Sequence, residues 1–465
     1  MIIKDIRQVV EGGYCVGCGA CAYASGTQMR LNKYGEYIPD IESIELSHDL
    51  SENGIGSVCP SLNPSSSEDE IGTELFSSDA NKDEKLGYVI NSYAGYVQEG
   101  LFRENGTSGG MGTWVPVELM KKGLVDSVIH VGEVIRKSES DPYYEYVISD
   151  TIDQVMANSK TRYHVVELSN VLRKLDPNKK YALIGVPCMV KALRRLQIED
   201  SHLVSQIPFS ISLVCGHLKS VNWSNSLAWG AGVVPKDAEN IQYRTKGEDI
   251  PARAYVYRIK DSNGDLIQKD SANVVGGKFN AGSMMLPACE FCDDVVGECA
   301  DITIGDAWLP RFESDSRGTN LIITRNSIVD GLMSYSRKNN SINVVNISCE
   351  EAASSQSGGF RQRRDGLSYR LAREIKLGRS VPSKRVTPGQ YEITSKRSKI
   401  YDGRTSITMK SRELFIDALR ANDYSIFTTG LGAEVARLRR LEILESFWKL
   451  LYNKLNRKIR SLFKK

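Results

Sequence analysis

The sequence predicts a mixed α+β chain: a small cysteine-rich domain first, an α/β core next and a helical tail last. Three observations lead there. Cys15, Cys18 and Cys21 crowd the N-terminus, short apolar runs alternate with helical patterns through the middle, and a basic stretch with helical apolar spacing closes the chain. The length, 465 residues, suits two or three domains on a prior of roughly 150 residues each. The expected divisions are 1–62 for the first domain, 63–90 for a linker, 91–335 for the core and 336–465 for the extension.

Composition narrows the class. Apolar residues make up 41% and charged residues 25%, which excludes a disordered chain or a coiled coil as the main architecture. A net charge of +3 gives no case for nucleic acid binding by the whole protein. The opening "MIIKDIRQVVEGGY" lacks a signal-peptide core, and no stretch approaches the roughly twenty apolar residues of a membrane span. The expectation is a cytoplasmic protein with reduced thiols, whose ten cysteines are metal ligands rather than disulfides.

In the first domain, Cys15-x2-Cys18-x2-Cys21 matches the first three ligands of a ferredoxin-type 4Fe–4S site. The fourth ligand of such a site is typically followed by proline, and Cys59-Pro60 fits. The domain is therefore expected to be ferredoxin-like. Between Cys21 and Cys59, "MRLNKYGEYIPDI" reads as a hairpin turning at Tyr34-Gly35. Structural zinc is the alternative, but zinc prefers separated C-x2-C pairs or cysteine–histidine pairs.

Ser61 to Gly87 is Ser-rich and acidic, hence the linker. "INSYAGYVQEG" alternates like a strand. Thr107, Ser108, Gly109 and Gly110 then form a loop that opens a helix through Leu119 and Met120, with Gly123 as its stop and "SVIHV" as the next strand. Free N–H groups at such a helix start, with the helix dipole, make an anion site suited to a cofactor pyrophosphate. The loop is not GxGxxG, so a standard nicotinamide site is not indicated. "SKTRYHVVELSNVLRKLDPNKKYALIGVPC" reads as a polar loop, a helix, a turn at Asp176-Pro177 and a strand ending at Gly185. Such repeated strand–helix–strand units point to an α/β core.

A second cysteine set follows. "YALIG" and "FSISLV" read as buried strands that deliver Cys188 and Cys215, and "ACEFCDDVVGECADITIGDAW" supplies Cys289, Cys292 and Cys299. Cys215, Cys289 and Cys292 are the first choices for a second cluster. Cys188 and Cys299 compete for its last position. Cys349 reads as an ordinary free cysteine. A hairpin is expected around Asn263-Gly264, and "ADITIGDAW" is a strand ending in a loop that carries Asp306 and Trp308. From Glu434 onward ten Lys or Arg stand against three Glu, with Leu438, Leu441, Leu444, Phe447, Leu451 and Leu455 at helical spacing. This basic amphipathic helix either packs on the protein or a partner, or makes peripheral contact with the inner face of a membrane.

Taken together, the cysteine motifs, "TSGGMGT", "SKTRY", "GVPCMVKAL", "LVCGH" and "CEFC…ADITIGDAW" resemble, in collinear order from about Cys15 to Asn326, the coenzyme F420 hydrogenase/dehydrogenase beta-subunit family. The family usually has a continuous Ser-Lys-Tyr where this chain has Ser159-Lys160-Thr161-Arg162-Tyr163. Beyond about residue 370 nothing is recognised. The resemblance implies an α/β flavin-binding core and FAD held near Thr107, Ser108, Gly109, Gly110, Ser159, Lys160, Tyr163, Gly185 and Pro187, with a 4Fe–4S cluster close by. Relatives include deazaflavin-reducing hydrogenase subunits and ferredoxin-linked reductases, and many bacterial members look like polysaccharide-biosynthesis proteins.

The expected function is an iron–sulfur flavoprotein oxidoreductase. Electrons would pass between ferredoxin, or a redox partner subunit, and a small organic acceptor through two 4Fe–4S clusters and FAD. Lys160, His217 and Asp306 are the catalytic candidates, with Tyr163 and His164 as further acid–base groups. The alternatives are a non-catalytic electron-transfer subunit of a larger complex and a zinc-stabilised binding protein.

Overall fold

Why eight strands gather into one sheet is visible in their composition. "YALIG", "FSISL" and "NLIIT" are buried along almost their whole length, as strands covered on both faces must be. The structure, a computed structural model, describes residues 2–62, 67–138, 140–246 and 256–462, with side chains described as far as residue 445. Across the sheet the strands run Ile342–Asn346, Asn91–Val97, Asn320–Thr324, Ile302–Asp306, Phe209–Leu213, Tyr181–Gly185, Ser127–Glu133 and Tyr144–Ser149. The four from Ile302–Asp306 to Ser127–Glu133 are mutually parallel, and antiparallel strands flank them. Their carboxyl ends therefore open on one edge, where α/β sheets place their ligands.

Alternate residues divide the sheet into two covered faces. Val128, Ala182, Ile211 and Ile322 pack with the helices Met111–Lys121 and Ser327–Lys338. Ile129 and Leu183, pointing the other way, join the helix Pro187–Glu199 and the N-terminal segment in one core. That core runs from Ile3 and Leu62 to Phe415 and Leu431, so the first sixty or so residues pack against the sheet in one continuous core. Their hairpin, Met29–Leu31 with Tyr37–Pro39, forms as expected.

Two divisions differ from expectation. The stretch taken as a linker holds the helix Glu68–Phe76 and the hairpin Asn81–Asp83 with Gly87–Val89. Ser67 and Glu70 form a reciprocal cap, Ile71, Phe76 and Leu86 are buried, and a buried Glu68–Lys191 ion pair at 3.0 Å ties the helix to Pro187–Glu199. The helical extension starts later than 336, because Ile342–Asn346 is the edge strand of the main sheet.

In the tail, Tyr424–Leu462 folds back antiparallel on Ser395–Ala421, with the ion pairs Lys410–Glu434, Arg404–Glu442 and Arg397–Glu445 along the seam. Leu431 and Leu438 are buried and Leu441 packs on the core, so this part of the amphipathic face is covered by the protein itself. Leu444 is exposed, and the side chains of Phe447, Leu451 and Leu455 lie outside the described residues. Among the described residues no helix is long and apolar enough to cross a membrane.

Candidate redox centre

All ten thiols are free. Cys15, Cys18, Cys21 and Cys59 line one small cavity of about 20 Å³, together with Val9, Met29 and Pro60. The loop wraps tightly because Gly19 takes a φ of +83°, and a Cβ there would sit 2.5 Å from the Glu167 carboxylate. Burial, with each other's charge as a smaller cause, pushes the thiols up, Cys15 to about 12. Arg195, itself buried, donates to the carbonyls of Cys59 and Leu62.

In the second set the structure separates Cys188 from Cys299. Burial raises the Cys188 thiol first, and next the charges of Cys215, Cys292 and Cys289. Cys299 lies elsewhere, in a small cluster with Ile71, Val190 and Ala300, and faces Glu68 and Asp294. No thiol is among the main charges acting on it, which makes Cys188 the nearer of the two to the other three thiols. The buried Arg363 donates from Nε to Cys292 Sγ at 3.4 Å and from Nη1 to the Gly216 carbonyl at 2.8 Å. The two sets adjoin: Cys18 is among the charges that act on Cys188, and the Tyr146 hydroxyl, raised mainly by burial, feels both.

Among the described residues no group of three or more His, Cys, Asp or Glu could hold a metal ion as the side chains stand. Each cysteine of a cubane binds a different iron, so thiols spread around a cavity fit a cubane better than a single ion. Because burial raises the thiols of Cys15, Cys18, Cys21, Cys188, Cys215 and Cys289, a cluster held there would displace protons from them.

Two cavities meet beside the second set. The smaller, about 220 Å³, lies at the carboxyl ends of the parallel strands and is lined by Thr107, Ser108, Gly110, Ser159, Lys160, Tyr163, Gly185 and Asp306. The Gly-rich loop and the "SKTRY" segment, separate in sequence, are joined here through Thr107 and Thr161, whose hydroxyls lie 2.6 Å apart. Gly110, at φ +90°, starts the helix Met111–Lys121, where the Met111 N–H donates to Asn320 Oδ1 at 3.0 Å and the Thr113 N–H to the Gly110 carbonyl at 3.3 Å, so Thr107, Ser108 and the Gly-rich turn, rather than a row of free N–H groups, face the cavity. Gly109 does not line the cavity; it packs on the sheet, where a Cβ would meet Asn320 Oδ1 at 2.7 Å and the Gly95 carbonyl at 2.8 Å. Pro187 is also displaced from expectation. It begins the helix Pro187–Glu199 and lines a separate cavity with Cys188 and Cys292.

The larger cavity, about 600 Å³, is lined by Cys215, Cys289, His217 and Phe279, and shares Arg162, Tyr163 and Asp306 with the smaller one. His217 stacks on Phe279 at 4.1 Å; burial pulls its pKa well below the usual range, and its buried Nε2 has no partner among the described residues. Lys160 is lowered by burial and then by Arg162. Asp306 pairs with Arg244 at 2.7 Å. His164 lines both cavities and has both ring nitrogens engaged, Nδ1 with the Val165 carbonyl at 2.6 Å and Nε2 accepting from the Tyr143 N–H at 3.3 Å. Sequence reasoning missed Tyr146, Arg195, Arg244 and Arg363, which carry no motif of their own.

Two family models match the chain, both describing the beta subunit of coenzyme F420 hydrogenase/dehydrogenase. The model of its N-terminal part covers residues 92–173, and the model of its C-terminal part covers 178–350. Fourteen chains of solved structures match as well. One belongs to the xenon-derivatised F420-reducing NiFe hydrogenase complex of Methanosarcina barkeri, with 16% identity, a TM-score of 0.49, and coverage of 66% of this chain and 99% of that one. Nothing among curated proteins matches. With the two models in register along more than half its length, the chain belongs to the coenzyme F420 hydrogenase/dehydrogenase beta-subunit family, a family of redox-enzyme subunits.

Proposed function

We propose that the protein is an iron–sulfur flavoprotein oxidoreductase that carries electrons between reduced ferredoxin, or a redox partner subunit, and a small organic acceptor. Its cofactors are two 4Fe–4S clusters and FAD, and its acceptor belongs, by the resemblance drawn from the sequence, to polysaccharide biosynthesis. The observation that carries the reading is the succession of two four-thiol sets, one beside the other, leading to a cavity at the carboxyl ends of the parallel strands.

In this reading Cys15, Cys18, Cys21 and Cys59 hold the first cluster, and Cys188, Cys215, Cys289 and Cys292 the second. Arg195 and Arg363, one beside each set, offset the negative charge of the thiolates. Thr107, Ser108 and Gly110, at the start of the helix Met111–Lys121, receive the flavin pyrophosphate. When bound, iron–sulfur clusters exchange single electrons and flavin exchanges one or two, so together they join a one-electron donor to a two-electron acceptor. Lys160, His217 and Asp306 line the space where protons must accompany those electrons. The 600 Å³ cleft favours an enzyme with its own acceptor site over a subunit that only relays electrons.

The test is metal and flavin analysis of anaerobically purified protein. About eight irons and about one FAD per chain are expected. A colourless, zinc-loaded preparation without flavin overturns the reading.

A further inference from the structure

We infer that the larger cleft binds an oxyanion of the acceptor, a phosphate or a carboxylate, on the Arg162 guanidinium, with Arg361 and Arg404 of the C-terminal helices as auxiliary cations. The word acceptor rests on the redox reading above; the anion site does not.

Arg162 carries the argument. Its side chain is 3% exposed, yet its only ion pair among the described residues is a 3.3 Å contact from Nη2 to a half-exposed Glu133. It lies over the Tyr144 ring at 4.8 Å, while Nε and Nη1 are buried with no partner among the described residues. A buried guanidinium with two donors lacking partners is costly, and an anion with a fork of oxygens would satisfy it. Arg162 lines the cleft.

Charge in the cleft is one-sided. Arg361, exposed, and Arg404 also line it, and Arg404 Nε is a further buried donor without a partner among the described residues, although its Nη2 is paired with Glu442 at 2.6 Å. Asp306 is the one acidic residue among the described lining residues, and Arg244 already neutralises it. Planar guanidinium groups match phosphate and carboxylate geometry.

The rival is the flavin's own pyrophosphate, because Arg162 lines both cavities. Thr107, Ser108, Gly110 and Lys160 line only the smaller cavity, where the flavin is proposed, whereas Arg361 and Arg404 line only the larger cleft. Both lie beyond residue 350, where the family models end, so the extension adds to the shared core a wall that selects the acceptor.

The full-length protein with its bound cofactors is titrated calorimetrically and anaerobically with inorganic pyrophosphate and, separately, with malonate. Saturable binding of either probe is expected, weakened about tenfold or more in Arg162→Met and about threefold in Arg404→Met, with flavin content unchanged. Response to pyrophosphate alone assigns a phosphate-bearing acceptor, and response to malonate alone a carboxylate. Thermal melting confirms that each variant is folded, and Arg404→Met serves if Arg162→Met is not. Absence of saturable binding, unchanged affinity in both variants, or release of FAD by the probe overturns the inference. Probe binding through Arg162 in a preparation that holds no flavin supports the anion site while the redox reading fails.

Discussion

Replacing Cys188 and Cys299 in turn separates a cluster ligand from a cysteine that merely packs. Cys188 lies among Cys215, Cys289 and Cys292, so in the proposed assignment Cys188→Ala removes one of four ligands of the second cluster. Iron should fall from about eight toward about four per chain, because the first cluster does not draw on Cys188. Cys299 is 1% exposed against Ile71, Val190 and Ala300. Cys299→Ala therefore deletes one buried sulfur at a cost of about 1 kcal/mol. Unfolding entropy of about 2 cal/mol/K per residue, taken over 465 residues, makes that a fall in Tm of about 1 °C. The assay is colorimetric iron per chain beside a melting curve, both on anaerobic protein. Iron loss in Cys299→Ala with retention in Cys188→Ala would refute the assignment.

Other outcomes follow from the same geometry. His130 and His164 are buried, which holds both imidazoles at about 4 against an ordinary 6.5. The unfolded chain thus takes up these protons first. The stability is full above about pH 6.5 and is lost as the pH falls to about 4, on the order of 3 kcal/mol for each group. Urea midpoints at about pH 7.5, 6 and 5 should fall in that order, and more shallowly in His130→Gln; a flat profile would contradict it. Gly109→Ala places a Cβ 2.7 Å from Asn320 Oδ1 and 2.8 Å from the Gly95 carbonyl, neither able to yield easily. It should cost about 1–3 kcal/mol, lower Tm by about 1–3 °C and lower FAD retention, whereas Gly331→Ala, with nothing within 4 Å, should not.

Local chemistry was legible and tertiary placement was not. The turn at Gly35 and the hairpin Val256–Asp261 with Leu266–Asp270 follow from turn residues between strand-forming runs. The strands before Cys188 and Cys215 follow from short, largely apolar runs. The segment after Cys59 misled because its acidic, Ser-rich composition hides a helix. Its signal was present all the same: Ser67 and Glu70 at capping-box spacing, just ahead of Ile71. Cys188 and Cys299 cannot be separated by spacing, since each follows or precedes a strand and only the sheet order brings Cys188 to the other thiols. Arg195 and Arg363 reach their cysteines across 136 and 71 positions of chain, a range at which no local pattern operates.

The most direct test of the account is an anaerobic reductive titration of the purified chain, followed from about 400 to 450 nm. Two cubanes taking one electron each and a flavin taking two predict about four reducing equivalents per chain, with bleaching of both chromophores. Uptake of about two equivalents, with only one kind of chromophore bleached, or no uptake at all, would contradict it.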